Sequence, residues 1–294
     1  MKAVSLHRDV IVVTSQLFQA HCTLVRGPRG EGPASSAAGE LTVSEWRPNG
    51  EDVVDREGSG AADEAFAIDS PVLPEELELL PALVEQAGFP TPQGLLATHA
   101  DFDHVLASIA FPEATLGCAE SSAERLRAEP GAVQRELRRF DEELLIERRP
   151  LSLGAVQPLA VPGHCSIGAA ELELHAATGH TVDGMAVWVG WARVLVAGDY
   201  LSPIELPSLG EGEGERMLDA YLATLDRLQP LVAAAAHVVP GHGPVLDGAR
   251  ALAVIEQDRA YLRALREHGA EAELPEGRRS KAQRKLHAQN VARL

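Results

Sequence analysis

The stretch that decides the fold is Thr98-His99-Ala100-Asp101-Phe102-Asp103-His104, which follows the apolar segment Gly94-Leu95-Leu96-Ala97. It places four potential metal ligands, two imidazoles and two carboxylates, within six residues. Alternate residues of an extended chain point to one side, so His99, Asp101 and Asp103 are predicted to share a face. Imidazole and carboxylate bind zinc, iron and manganese, and a loop at a strand end exposes them. The stretch therefore predicts a metal site at the end of a buried strand.

In three later segments a strand is followed by a glycine and a potential ligand. They are Thr178-Gly179-His180, Ala197-Gly198-Asp199 and Pro240-Gly241-His242. Glycine lets the backbone turn sharply, so that the following side chain can face inward. Histidine and aspartate are also ordinary turn and helix-cap residues, and one such segment by itself would indicate only a turn. Their joint occurrence with the first stretch favours one shared metal site.

These residues resemble the metallo-β-lactamase-fold hydrolases, whose sequences carry His-x-His-x-Asp-His, then Gly-His, then an apolar strand ending in Asp, then Gly-His. The segments occur here in that order, and the resemblance spans roughly residues 10–265. It implies an α/β protein with a four-layer αββα sandwich. The sequence departs from the family pattern at Asp101, where the second histidine is usual. Flavodiiron proteins of the same fold place a glutamate there and bind iron, so a carboxylate does not by itself disable the site.

The resemblance implies a set of seven ligands and two divalent ions. The first ion would be held by His99, Asp101 and His180, the second by Asp103, His104 and His242, with Asp199 as the bridge. Two ions about 3.5–4 Å apart lower the pKa of a bridging water and give hydroxide at neutral pH. Asp103 and Asp199 are accordingly the predicted catalytic residues. Zinc is the predicted metal, while the harder carboxylate at Asp101 leaves iron or manganese open.

Three further residues receive weaker assignments. Asp69 ends an early apolar strand and is predicted either to orient a metal-binding histidine or to cap the following helix. Tyr200 follows the bridging aspartate and is predicted to contact substrate through its hydroxyl, with core packing as the alternative. His287, in the C-terminal segment, is predicted to cover the mouth of the site, with a solvated helix as the alternative.

Composition limits the classes of function. The chain has 294 residues, 45% hydrophobic and 23% charged, which is typical of a globular protein. Its net charge of −17 opposes binding to nucleic acid, because phosphates would be repelled. Residues 275–294 differ, with six basic residues and one acidic residue, which indicates either an anion-binding arm or a solvated helix face. Three cysteines without short spacings exclude a cysteine zinc site.

The chain is predicted to form one domain with two insertions and a tail. Residues 1–268 form the metallo-β-lactamase-fold domain, in which 27–64 is a surface insertion and 119–150 is a helical insertion. Residues 269–294 form a C-terminal basic helical tail. No run of 18 uncharged apolar residues predicts a membrane helix, and the charged N-terminus is unlike an export signal. A cytoplasmic location without membrane contact is therefore expected.

Periodicity predicts the order of strands and helices. Strands are expected at 10–26 (two, as a hairpin), 65–69, 94–98, 172–175, 185–189, 194–197 and 236–239, with an extra hairpin near 41–44. Helices are expected at 74–88, 119–149 with a break at Pro130-Gly131, 215–228, 244–268 and 278–293.

The fold does not settle the reaction, because one fold hosts unrelated chemistries. We expect a metal-dependent hydrolase acting on a small ester, thioester or lactone, with 119–150 covering the substrate. A phosphodiesterase or nuclease is favoured by the basic tail and opposed by the acidic body. A mononuclear iron oxygenase similar to persulfide dioxygenases, and a non-catalytic binding module impaired at Asp101, are further alternatives. A β-lactamase is poorly supported without an export signal. The expected partner is a small-molecule substrate, and the oligomeric state stays open.

Overall fold

The computed structural model describes residues 1–28, 40–42 and 64–294. The strands are β1 (Lys2–His7), β2 (Val10–Thr14), β3 (His21–Arg26), β4 (Glu40–Thr42), β5 (Ala65–Asp69), β6 (Gly94–Ala97), β7 (Thr115–Ala119), β8 (Val156–Leu159), β9 (Gly163–Ile167), β10 (Ala170–Ala176), β11 (Met185–Val189), β12 (Val194–Gly198) and β13 (His237–Pro240). The helices are α1 (Pro74–Gln86), α2 (Phe102–Val105), α3 (Ala107–Ala110), α4 (Glu120–Ala128), α5 (Ala132–Leu144), α6 (Gly214–Ala234), α7 (Gly248–His268) and α8 (Lys281–Arg293).

The first sheet has the strand order β4-β1-β2-β3-β5-β6-β7-β8. Its pairs are antiparallel from β4 to β5 and parallel from β5 to β8. Parallel neighbours require crossover connections, and α1 to α5 lie in these connections. Because β5 and β6 run in the same direction, Asp69 and His99 emerge at the same edge of the sheet.

The second sheet has the strand order β13-β12-β11-β10-β9. Its pairs are antiparallel except for β12 and β13, which are parallel with Val196 opposite Val239. The carboxyl ends of these two neighbouring strands therefore lie side by side. Asp199 and His242 follow them, so the topology brings the two ligands together.

Three apolar clusters separate four layers. Strand β12 illustrates this arrangement, because its alternate residues belong to different clusters. Val194 and Val196 pack between the two sheets, while Leu195 and Ala197 pack under the helices α6 and α7. A strand buried on both faces reads as a continuous apolar run, which is why its sequence does not alternate. A third cluster joins the outer face of the first sheet to α1 and its neighbouring helices. The predicted αββα sandwich is the observed architecture.

Most predicted elements are present, with shifted ends and some additions. The helical stretch at 119–150 divides at Pro130-Gly131 into α4 and α5, as expected. Helix α6 continues through Pro230 to Ala234, beyond the predicted end at residue 228. Strands β1, β7, β8 and β9 were not predicted. In β7, Gly117 has low strand propensity, but a Cβ there would lie 3.1 Å from side-chain carbons of Leu96 and Leu159, so the position requires close packing.

Parts of the predicted insertion at 27–64 lie outside the described residues. Residues 40–42 are described and pair with β1, whereas residues 43 and 44 of the predicted extra hairpin fall outside the described ranges.

The C-terminal segment, residues 269–294, packs on the second helical layer. Leu286 and Val291 contact the cluster formed by α6 and α7. Lys281 and Arg284 are exposed, but Arg278 is fully buried, so the segment is only partly the solvated basic face that its composition suggests. No helix among the described residues is long and apolar enough to cross a membrane.

Candidate metal centre

Six of the seven predicted ligands converge, and they follow the carboxyl ends of β6, β10, β12 and β13. They form two donor groups, in each of which the possible ligand atoms lie within 4.8 Å of one another. We call His99, His180 and Asp199 the first donor group, and Asp103, His104 and His242 the second donor group.

Asp199 stands between the two donor groups. Its Oδ1 lies 3.2 Å from His104 Nε2 and 3.3 Å from His242 Nε2. Its Oδ2 lies 3.2 Å from His180 Nε2 and 4.0 Å from His99 Nε2. One carboxylate oxygen therefore faces each group, which is the geometry expected of a bridging ligand.

Several donor atoms of the two groups are buried without a hydrogen bond. Among the described residues these include His99 Nε2, His104 Nε2 and Asp199 Oδ1. Burial would raise the pKa of Asp199, but the imidazoles of His242, His104 and His180 hold it well below its usual range. Unpaired buried donors are costly, and a divalent ion would satisfy them. The residues present therefore fit a metal centre.

Asp69 fixes the orientation of His104. Its Oδ2 lies 3.1 Å from His104 Nδ1, and its two oxygens accept hydrogen bonds from the Thr98 backbone N–H and hydroxyl, at 2.8 and 2.9 Å. A carboxylate on Nδ1 directs Nε2 toward the site. The alternative role as a helix cap is not observed, because Leu73 is the N-cap of α1.

His21 supports the His242 loop and was not identified from the sequence. Its backbone N–H donates to the Gly241 carbonyl at 3.1 Å, and its Nε2 lies 2.5 Å from the Gly243 carbonyl. Burial lowers the pKa of His21 to about 4, so its ring is neutral and donates from Nε2. Only the spatial proximity of β3 to this loop could have indicated this role.

Two of the glycines beside ligands are required for different reasons. Gly198 has φ +57°, a left-handed conformation that admits glycine most readily. Gly241 has no such φ, but a Cβ there would lie 1.9 Å from Asp199 Oδ1. The first glycine makes the turn, and the second makes room for the carboxylate between the donor groups.

Asp101, the predicted ligand that departs from the family pattern, belongs to neither donor group. Its Oδ1 accepts a hydrogen bond from Arg125 at 2.8 Å, and its Oδ2 lies 3.6 Å from His99 Nε2. Arg125 also donates to Asp183, which is buried and accepts from the Ala100 backbone N–H. The guanidinium thus neutralises Asp101 and ties it to α4. Arg125 and Asp183 were not identified from the sequence, and direct ligation by Asp101 stays a prediction.

The Tyr200 side chain is engaged within the protein, which favours the packing alternative over the predicted contact with substrate. It is buried, and its ring packs on Tyr221 with centroids 4.5 Å apart. Its hydroxyl accepts a hydrogen bond from the His180 backbone N–H at 3.0 Å. Tyr200 therefore positions the loop that carries His180.

The His287 ring is likewise engaged within the protein, which gives no support to the prediction that it covers the mouth of the site. Its Nδ1 lies 3.1 Å from the Tyr261 hydroxyl, and its Nε2 lies 3.2 Å from the Ala270 carbonyl. Both ring nitrogens are engaged between α8 and the end of α7, because α8 turns this face toward the helical layer.

An aromatic rim, defined by Phe18, Phe102 and Phe140, lies beside the second donor group. Phe18 is 43% exposed, and its ring centroid lies 6.1 Å from that of His242 and 5.6 Å from that of Phe140. Phe140 in turn contacts Phe102, with centroids 4.9 Å apart. Helix α5 of the predicted helical insertion therefore reaches the neighbourhood of the metal centre.

Residues 75–242, more than half of the chain, match the sequence model of the metallo-beta-lactamase superfamily. The chain belongs to the metallo-beta-lactamase superfamily. The matched span contains every predicted metal ligand from His99 to His242. Membership in this superfamily supports a metal-dependent hydrolase in general, as predicted.

Solved structures of metallo-beta-lactamases share the fold. A metallo-beta-lactamase family protein from Thermus thermophilus is 18% identical, with a TM-score of 0.64 over 99% of this chain and 93% of that chain. The DIM-1 metallo-beta-lactamase exposed to ceftazidime is 16% identical, with a TM-score of 0.54 over 87% of this chain and 95% of that chain. At these identities the likeness establishes the fold class and leaves the substrate open.

One curated relative is similar over a short part of the chain. The beta-lactamase-like protein 2 homolog of Caenorhabditis elegans is 35% identical over 83 residues. The match spans 28% of this chain and a quarter, 25%, of the length of that relative. It agrees with membership in the metallo-beta-lactamase superfamily.

Proposed function

We propose that this chain is a hydrolase that uses two divalent metal ions to cleave a small ester, thioester or lactone. The observation that carries the proposal is the position of Asp199, whose two carboxylate oxygens face different donor groups. A single-ion site would need only one of these groups. The mononuclear oxygenase is therefore less favoured by the arrangement than a binuclear hydrolase.

The donor groups define which residues would hold each ion. His99 and His180 would bind the first ion with Asp199 Oδ2, and the second donor group would bind the second ion with Asp199 Oδ1. Two divalent ions, most readily zinc, would supply a water of lowered pKa and polarise the carbonyl of the substrate. Asp103 and Asp199 would act through these ions, as predicted.

The residues around the ligands keep the donors in place for this chemistry. Asp69 holds the ring of His104, and His21 holds the loop of His242. Tyr200 holds the loop of His180. A set of ligands fixed before substrate binds loses little free energy to reorganisation during the reaction.

The surroundings favour an ester-type bond over a phosphodiester. A small cavity of about 20 Å³ beside the donor groups is lined by His180, Asp199, Ser202, Glu205, Leu206, Pro207, Ser208, Tyr221, His242 and Asp258. None of these lining residues is lysine or arginine. Arg125, which lies beside the first donor group, is already engaged by Asp101 and Asp183, so a phosphate would find little cationic support here. Arg278 of the basic tail is engaged with Asp258, which weakens the argument for a nuclease. The proposed partner is accordingly a small-molecule substrate.

Metal analysis combined with a substrate panel tests the proposal. We expect about two ions per chain after loading with zinc, iron or manganese, measured by elemental analysis. We expect the loaded protein to hydrolyse at least one member of a panel of aryl esters, thioesters and lactones faster than phosphodiesters. Less than half an ion per chain after loading, or hydrolysis of phosphodiesters alone, would contradict the proposal.

A further inference from the structure

The ring of His180 is oriented differently from the ring of His104. Its Nε2 lies 3.2 Å from Asp199 Oδ2, while its buried Nδ1 has no hydrogen-bond partner within the described part of the chain. His104, by contrast, has the Asp69 carboxylate 3.1 Å from its Nδ1. The direction of the His180 ring therefore depends on the backbone of the loop that carries it.

The backbone around His180 is held by the segment that follows β12. The Tyr200 hydroxyl accepts a hydrogen bond from the His180 N–H at 3.0 Å, and the Gly210 N–H donates to the Gly179 carbonyl at 2.9 Å. A Cβ at Gly210 would lie 2.5 Å from the His180 carbonyl oxygen, so the two loops are in close contact there. Residues 202–210, which we call the supporting loop, thus end against the loop of His180.

Asn290 of α8 holds the supporting loop directly before Gly210. The Asn290 side chain is fully buried. Its Oδ1 accepts a hydrogen bond from the Leu209 N–H at 3.0 Å, and its Nδ2 donates to the Pro207 carbonyl at 2.7 Å. An amide side chain carries both an acceptor and a donor, so one residue can satisfy an N–H and a carbonyl of the same loop. The loop is therefore fixed one residue before its contact with the loop of His180.

Three further side chains of the C-terminal segment bind the backbone of the supporting loop. Two of them are arginines of the basic tail, which here donate to carbonyl groups. The hydrogen bonds join Arg278 to the Ser202 and Glu205 carbonyls at 3.3 and 2.8 Å, the Leu206 N–H to Gln283 Oε1 at 2.6 Å, and Arg293 to the Leu209 carbonyl. The C-terminal segment therefore determines the course of this loop.

We propose that Asn290 is a positioning residue for the metal centre, through which α8 holds the supporting loop against the loop of His180. The inference rests on the proposed function for the presence of the ions, and it concerns the first donor group. The second donor group is supported by Asp69 and His21 of the first sheet. Loss of the Asn290 contacts should therefore reduce affinity for the first ion and preserve affinity for the second.

The metal affinity of Asn290→Ala tests the inference. The substitution removes both hydrogen bonds to the supporting loop, so the backbone of His180 gains freedom that must be lost again when the ion binds. We expect affinity for the first ion to fall about tenfold. Titration against a chelator measures each binding step, and His180→Ala identifies the step that belongs to the first ion. Parent affinity at that step in folded Asn290→Ala, or an equal loss at both steps, would overturn the inference.

Tyr261→Phe is the matched control for a general loss of packing. The Tyr261 hydroxyl accepts a hydrogen bond from Asn290 Nδ2 at 3.1 Å and lies 3.1 Å from His287 Nδ1. Its removal disturbs the contact between α7 and α8 but leaves both bonds of Asn290 to the supporting loop. We expect this variant to keep the parent's affinity for both ions. A loss of first-ion affinity equal to that of Asn290→Ala would assign the effect to packing and overturn the inference.

Gly210→Ala tests the contact from the side of the supporting loop. The added Cβ would press on the His180 carbonyl, so we expect this variant also to weaken the first ion. In the control Gly190→Ala the added Cβ would lie 3.4 Å from Trp188 Nε1, an ordinary contact distance, and both affinities should be kept. Because Asn290 and Gly210 act on one loop, the double variant should lose less binding free energy than the two single losses summed. Fully additive losses would overturn the inference.

Hydrogen exchange in the metal-free protein gives a readout that needs neither ions nor substrate. Asn290→Ala should accelerate exchange at the Gly210 amide, whose hydrogen bond joins the two loops, whereas Tyr261→Phe should keep the parent's rate. Failure of the parent to bind two ions would count against the proposed function, while unchanged exchange at Gly210 in Asn290→Ala would overturn this inference. If Asn290→Ala does not fold, Arg293→Met, which removes the bond to the Leu209 carbonyl, decides by the same measurements.

Discussion

The two donor groups are supported to different degrees. In the second group, Asp69 contacts His104 and the neutral ring of His21 holds the loop of His242. In the first group, the residue expected to complete the ligand set, Asp101, is 29% exposed at its side chain and bound to Arg125. The second group is therefore fixed by two buried side chains of the first sheet, whereas the first group has the buried contact of Tyr200 and borders a half-buried ion pair.

This difference indicates which donor group can change in sequence while the metal centre is kept. Buried hydrogen-bond partners support His104 and the His242 loop of the second group, so a change there disturbs both geometry and the free energy of folding. The first group lies where the sequence departs from the family pattern, and its carboxylate is already compensated by Arg125. We expect the second ion to be held more tightly than the first.

Replacement of Asp199 should have the largest effect, because it removes a donor from both groups. We expect Asp199→Ala to lose roughly 10³-fold in kcat/KM and to retain at most one ion per chain. Steady-state kinetics and elemental analysis measure the two quantities. The control is Asp226→Ala, which breaks an ion pair with Arg259 at the surface of α6. It should keep the parent's kcat/KM and number of ions per chain. Two retained ions in Asp199→Ala would show that the groups do not share this ligand.

Protonation of His21 should weaken the support of the second group at acidic pH. Its pKa is about 4 in the fold, below the usual 6.5, so the unfolded chain binds more protons between these values. The free energy of unfolding should therefore fall by about 3 kcal/mol from this residue as pH decreases from 6.5 to 4. Urea denaturation of metal-free protein, compared with His21→Gln, isolates the contribution. His268→Gln, which replaces an exposed histidine, should keep the parent's dependence of the free energy of unfolding on pH. If His21→Gln loses as much free energy of unfolding between pH 6.5 and 4 as the parent does, the assignment to His21 is refuted.

Neutralising Asp69 should affect the second ion and spare the first. We expect Asp69→Asn to weaken the second ion by about 10–100-fold, because His104 loses the carboxylate on its Nδ1. Competition titration with a chelator resolves the two binding steps. Asp226→Asn is the matched control at an exposed carboxylate. An equal loss of affinity for both ions would contradict the proposed difference between the donor groups.

Replacement of Asp101 should have the smallest effect on metal affinity. Because Arg125 already engages its carboxylate, we expect Asp101→Ala to weaken the first ion by less than about tenfold. Asp101→His should shift preference toward zinc over iron and manganese, since imidazole is a softer, neutral donor. Competitive metal loading measures both variants. Complete loss of the first ion in Asp101→Ala would identify Asp101 as a ligand after all.

The sequence by itself determined the fold class and the residues that form the donor groups. Each of these ligands comes within a few residues of the end of a strand, and His180, Asp199 and His242 directly follow a glycine. Their signal is therefore local and can be recognised without knowledge of the fold. Asp69 was likewise found from the end of its strand. The order of the segments along the chain was enough to indicate the superfamily.

Only the tertiary structure decided how these ligands are supported and what else faces them. Arg125 binds Asp101 across 24 residues of sequence, and His21 contacts Gly243 across 222. Three buried side chains of the C-terminal segment, Arg278, Gln283 and Asn290, contact the backbone of residues 205–209. Each of these contacts joins residues more than 70 positions apart in the sequence. Such partners have no fixed spacing and no local pattern, because the packing of the layers brings them together. Their identity therefore depends on the folded chain as a whole.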